Sequence, residues 1–108
     1  MSSNGSPQGV PPDERQIQAW QEQWNETKGM YQAEIDFMNQ TIVSKTQEYT
    51  DIQSNTLEWD NISLAERSGL RQQIILAKQE LVQIQQELAF AKAYFIQDNP
   101  QAEHYVQF

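Results

Sequence analysis

Two heptad stripes mirror each other about a single point in this chain, and that register restricts the fold more than any other feature. Tyr31, Ile35, Met38, Ile42, Lys45, Tyr49, Ile52, Thr56 and Trp59 follow a 4-3 spacing, as do Leu70, Ile74, Ala77, Leu81, Ile84, Leu88, Ala91 and Phe95. Such a spacing keeps one face of a helix turned toward a partner helix. Antiparallel pairing matches the steps on both sides: Ile52 with Leu70, Tyr49 with Ile74, Ile42 with Leu81, Met38 with Ile84, Ile35 with Leu88 and Tyr31 with Ala91. The predicted fold is therefore all-α, a long antiparallel two-helix coiled-coil hairpin folded near Asn61.

The helix limits follow from local chemistry. Pro11 and Pro12 followed by Asp13 and Glu14 make a helix entry, because proline needs no donor in the first turn and acids there face the positive end of the macrodipole. Helix one is expected over about 13–60. Ser63 and Glu66 have the spacing of a capping box, so helix two is expected over about 63–97 with a turn at 60–62. Asp98-Asn99-Pro100 closes it, since proline biases the preceding residue away from helical geometry. Residues 1–12, rich in Ser, Gly and Pro, read as a disordered tail, and 98–108 as a C-terminal tail. Gly29 coincides with a change of spacing, Trp20, Trp24, Lys28 and Tyr31 stepping 4-4-3, where fraying or a bend is expected.

Charge narrows the function classes. The net charge is −8 and falls unevenly: Asp13 to Asp60 hold ten acids and three bases, whereas Ser63 to Gln97 hold three acids and four bases. Nucleic-acid binding calls for a basic stripe, which is missing, while a basic partner for helix one is physically reasonable. No window approaches the about 20 apolar residues of a membrane span. Without a signal peptide, the expected location is the cytoplasm or a macromolecular assembly such as a virion, with non-classical export as an alternative.

Catalytic and metal chemistry find little material. There is no cysteine, His104 is the single histidine and lies beyond Pro100, and no glycine-rich phosphate loop is present. A helix-borne metal site usually adds Glu-x-x-His spacing, which is also missing. The expectation is a protein that is not an enzyme and carries no cofactor or metal. Glu34, Glu48, Glu80 and Glu87 collect along one edge and read as a solvated face. Lys45 is the anomaly of the seam; opposite Ala77 it can extend its ammonium toward Glu48 or Glu80, and a charged core residue sets register at a cost in stability.

Three groups of apolar residues are left over by the hairpin. Ile17, Trp20 and Trp24 overhang its open end, where a partner protomer or protein, or else the tail residues Tyr105, Val106 and Phe108, covers them. Ile75, Val82, Ala89 and Ile96 form a row along helix two, each one residue after a seam position, too far round for helix one alone to bury. Lys78, Gln85 and Lys92 alternate with them, and their aliphatic stems widen the strip. The tail ending in Tyr105 and Phe108 is itself a candidate docking peptide. A seam this narrow supports long helices poorly against a backbone entropy of ~1–2 kcal/mol per residue. A multi-helix bundle completed by self-association or by a protein partner is therefore expected, as in a secretion apparatus, a viral particle or a tethering assembly.

The length, the absence of cysteine, the paired helices and a tryptophan at the turn also resemble the WXG100 family of helical-hairpin proteins exported by type VII secretion. In that family the turn reads Trp-x-Gly and a Tyr-x-x-x-Asp/Glu signal follows helix two. Here Trp59-Asp60-Asn61 has asparagine in place of the glycine, and Tyr94-Phe95-Ile96-Gln97-Asp98 matches the second pattern. The resemblance implies an alternative function, a small exported or chaperone-like binding module.

Overall fold

The computed structural model describes residues 11–55 and 61–108, with the backbone alone at 61 and 62. Two long helices account for most of them: α1, Glu14–Asn55, of 42 residues, and α2, Asn61–Asp98, of 38 residues. A short 3₁₀ helix, Pro100–His104, follows, and no strand occurs among the described residues. The helices pack against each other as a hairpin. Most of the expected N-terminal tail, the seam positions Thr56 and Trp59, and Asp60 of the expected turn lie outside the described residues.

Asp13 opens α1. Its Oδ1 accepts a hydrogen bond from the Gln16 backbone N–H at 2.8 Å, and its carbonyl accepts from Ile17 N at 3.1 Å. The side chain thus satisfies one of the donors that a helix start leaves without a partner. Along the exposed face, Gln18 donates to Glu22, Gln32 to Asp36 and Gln47 to Asp51, each four residues on, which supports a helix of middling intrinsic propensity. The fraying or bend expected at Gly29 does not interrupt α1, which is helical on both sides of it. Backbone hydrogen bonds shared with the flanking turns carry the helix across a single glycine, at a cost of roughly 1 kcal/mol.

At the start of α2 the expectation needs correcting. Asn61 and Ile62 are helical and not a turn, so Ser63 stands inside the helix instead of capping it. Ser63 is 3% exposed. The reason is its register: 63, 67 and 70 continue the 4-3 stripe toward the helix start, so Ser63 and the half-buried Arg67 take seam positions. Arg67 Nε donates to the Ser63 carbonyl at 3.4 Å.

The chain divides into two compact units, one formed by Met1–Met30 with Glu87–Phe108 and the other by Tyr31–Gln86. On α1 the division falls after Met30, one residue past Gly29, where the stripe changes spacing. In the second unit every described seam residue is buried or half-buried: Tyr31, Ile35, Met38, Ile42, Lys45, Tyr49 and Ile52 on α1, and Leu70, Ile74, Ala77, Leu81 and Ile84 on α2. Its core is thin, with Ile35, Ala77 and Ile84 the buried apolar residues among those described. In the first unit Leu88 and Ala91 are half-buried and Phe95 is buried, continuing the α2 stripe.

Candidate interaction surfaces

The first unit is built around two tryptophans and the tail. Trp20, Trp24, Phe95, Ala102 and Val106 form its buried core, flanked by Ile17, Leu88, Ala91 and Phe108. Three rings make a triad: Trp24 to Phe108 with centroids 5.0 Å apart, Trp24 to Phe95 at 5.7 Å, and Phe95 to Phe108 at 5.9 Å, all tilted or edge-on. Those are the favoured orientations of aromatic quadrupoles. The Lys92 ammonium stands 5.3 Å from the Phe108 ring centroid on its face, a cation–π contact.

Polar contacts hold the tail in place. Trp20 Nε1 donates to Asn99 Oδ1 at 3.0 Å, while Asn99 Nδ2 donates to the Phe95 carbonyl at 3.1 Å. One carboxamide therefore closes α2 and ties it to α1. Beyond it the chain turns through Pro100–His104, with Ala102 N donating to the Asn99 carbonyl and Val106 N to the Ala102 carbonyl, both at 2.9 Å. Gln21 Nε2 donates to the Tyr105 carbonyl at 3.1 Å. Trp24 Nε1 is buried without a hydrogen-bond partner among the described residues. That cost, about 1–3 kcal/mol, is offset by the ring contacts around it.

This arrangement corrects the first expectation for the overhang. Trp20 and Trp24, 7% and 2% exposed, are covered by the chain's own tail and are not presented to a partner. The alternative of intramolecular cover is the one realised, and Ile17 and Phe108 belong to the same core. Asn99 was legible in the sequence only as a helix stop; its partnership with a tryptophan 79 residues earlier has no local signal.

The apolar row of α2 is left open in the second unit. Ile75 and Val82 are 42% and 51% exposed, one residue beyond the seam positions Ile74 and Leu81. In the first unit Ala89 is exposed, Ile96 is half-buried and Tyr105 is exposed. Further exposed side chains lie beside the seam: Leu64, Leu76, Phe37 and Val43 in the second unit, Phe90 and Met30 in the first. Sequence reasoning passed over these, although each sits one residue before or after a stripe position or, for Met30, directly before Tyr31.

Lys45 behaves as the seam register suggests, with its Nζ 4.0 Å from Glu48 Oε2. Glu34, Glu48, Glu80 and Glu87 are all exposed. His104 is exposed at the end of the 3₁₀ helix, and no group of three or more His, Asp or Glu side chains suited to a metal gathers among the described residues. No described helix is long and apolar enough to cross a membrane. No family model, curated protein or solved structure matches the chain.

Proposed function

We infer that the chain is a non-enzymatic helical assembly protein that docks onto another helical protein surface through the outer row of α2. The observation that carries this reading is the half-open state of Ile75 and Val82, which continue a second 4-3 stripe beside a seam already occupied by α1. Covering the exposed half of two such side chains would contribute on the order of 1 kcal/mol each, added to the thin core of the second unit. Both residues can stand in water in the isolated chain, so their pattern is best explained by contacts outside it.

The test is Ile75→Asp combined with Val82→Asp, both at exposed positions. Circular dichroism should keep its helical signal at concentrations where the chain is monomeric. Sedimentation and capture from the native source should lose the associated species. A stable helical chain whose associations ignore the double substitution overturns the reading.

A second reading is favoured by the placement of Tyr94 and Asp98. Tyr94 is 63% exposed, and Asp98 is exposed one turn later at the end of α2. Accessible in that way, they suit a short recognition signal of an exported hairpin module resembling WXG100 proteins. Under this reading Tyr94→Ala or Asp98→Ala blocks export without changing the folded chain; normal export of both variants removes it.

A further inference from the structure

We propose that the partner docked on the outer row of α2 is a second copy of this chain, stacked so that the basic-apolar side of one hairpin meets the acidic side of the next. The inference rests on the docking reading above and adds the occupant and the mode of contact.

The two sides of the second unit differ in chemistry. In an antiparallel pair, residues one position before each seam residue lie on one side of the seam, and residues one position after it on the other. On the preceding side stand Glu34, Glu48 and Asp51 of α1 with Glu66 and Glu80 of α2, all exposed. Two apolar chains, Phe37 and Leu76, 64% and 53% exposed, stand among them. Two half-buried seam bases border that row: Lys45, which reaches Glu48 at 4.0 Å, and Arg67, whose Nε donates to the Ser63 carbonyl at 3.4 Å.

On the following side α2 presents Leu64, Arg71, Ile75, Lys78 and Val82 in one 4-3 stripe with no acid in it. Neither Arg71 nor Lys78 makes an ion pair among the described residues. The facing row of α1 contributes Asp36 as its one charge and Val43, 69% exposed, as its one apolar chain. The described residues of this unit therefore carry five acids on one side and two bases against one acid on the other. Each side mixes its charge with exposed apolar groups, so each offers what the other lacks.

Contact between unlike sides is heterologous, and a heterologous contact leaves one free side of each kind at the ends of the stack. Assembly then continues past the dimer. A symmetric dimer through either side alone would oppose like charges, an arrangement that suppresses binding. Because the charged side chains are exposed, the contact weakens with salt, as the screening length falls to ~3 Å at 1 M.

The decisive experiment uses the full chain and two charge reversals. Arg71→Glu with Lys78→Glu makes both sides acidic, and Glu34→Lys with Glu66→Lys and Glu80→Lys leaves three bases against two acids on the formerly acidic side; all five positions are exposed, and circular dichroism verifies that the helices persist. In sedimentation velocity at low salt, wild-type protein is expected to grow beyond the dimer with concentration and to dissociate near ~1 M salt. Each variant alone should associate at least about tenfold more weakly, and an equimolar mixture should regain higher-order species. A wild-type chain that is monomeric throughout, a closed dimer indifferent to the reversals, or a mixture without rescue each overturns the proposal. If the chain is monomeric but Ile75→Asp with Val82→Asp still abolishes capture of a different protein, the second copy is wrong and the docking reading stands. If that substitution also changes nothing, both fall.

Discussion

Trp20 and Asn99, 79 residues apart, are joined by a hydrogen bond in which the indole Nε1 donates to Oδ1 at 3.0 Å. The same carboxamide donates to the Phe95 carbonyl, so one side chain both stops α2 and fastens it to α1. Replacing Asn99 with Ala deprives the part-buried indole of its acceptor. The expected loss is about 1–3 kcal/mol, read as a lower urea midpoint with the slope unchanged. Combining Asn99→Ala with Trp20→Phe should give non-additive losses, a coupling of about 0.5 kcal/mol or more. Additive losses would mean that the bond contributes nothing.

Phe108 covers Trp24 and Phe95, and its removal tests whether the tail belongs to the core. Phe108→Ala should cost about 2 kcal/mol and shift tryptophan emission to the red as Trp24 gains water. Lys92→Ala removes only the cation above that ring and should cost about 0.5–1 kcal/mol. An unchanged emission spectrum in Phe108→Ala would show that the tail is dispensable for burying Trp24.

Trp24→Phe provides a contrast with Trp20→Phe. Both delete an indole N–H and some ring volume, but of the two only Trp20 donates to an acceptor among the described residues. At Trp24 the loss of packing is partly offset by removal of a buried donor without a partner, a group that costs about 1–3 kcal/mol. Double-mutant cycles with Asn99→Ala should therefore find coupling at Trp20 and almost none at Trp24.

Gly29 and Gly69 lie in unbroken helix, and a Cβ built at either meets nothing within 4 Å. Gly29→Ala and Gly69→Ala should each stabilise the protein by about 0.5–1 kcal/mol, because alanine restricts the unfolded chain and clashes with no neighbour. A fall in thermal midpoint at Gly29 would mean that the spacing change there needs a local distortion that alanine resists.

Asp13 supplies the first side-chain acceptor of α1. Asp13→Ala should cost about 0.5–2 kcal/mol and Asp13→Ser much less, since serine keeps an oxygen within reach of the Gln16 N–H. Equal losses in the two variants, compared by thermal melting, would separate the helix start from this cap.

The seam was legible because its information is local and repetitive. A 4-3 period repeated over several turns names the buried face without knowledge of the partner, and the described stripe residues from Tyr31 to Ile84 are buried or half-buried as that period requires. Ser63 departs from its local pattern for a related reason. Its capping-box spacing with Glu66 is a local pattern, but its place on the stripe carries it into the seam, and burial there prevailed over the cap.

The sequence by itself determined that two helices pair antiparallel, which residues line their seam, and that apolar groups are left over outside it. Only the tertiary structure decided what happens to those groups. At Trp20 and Trp24 the chain reverses after Asn99 and brings Ala102, Val106 and Phe108 onto the indoles, a long-range closure that no periodicity encodes. At Ile75 and Val82 no such segment arrives among the described residues, and they stay open. Helical periodicity reports which way a side chain points; whether apolar atoms meet it there depends on where the rest of the chain can reach.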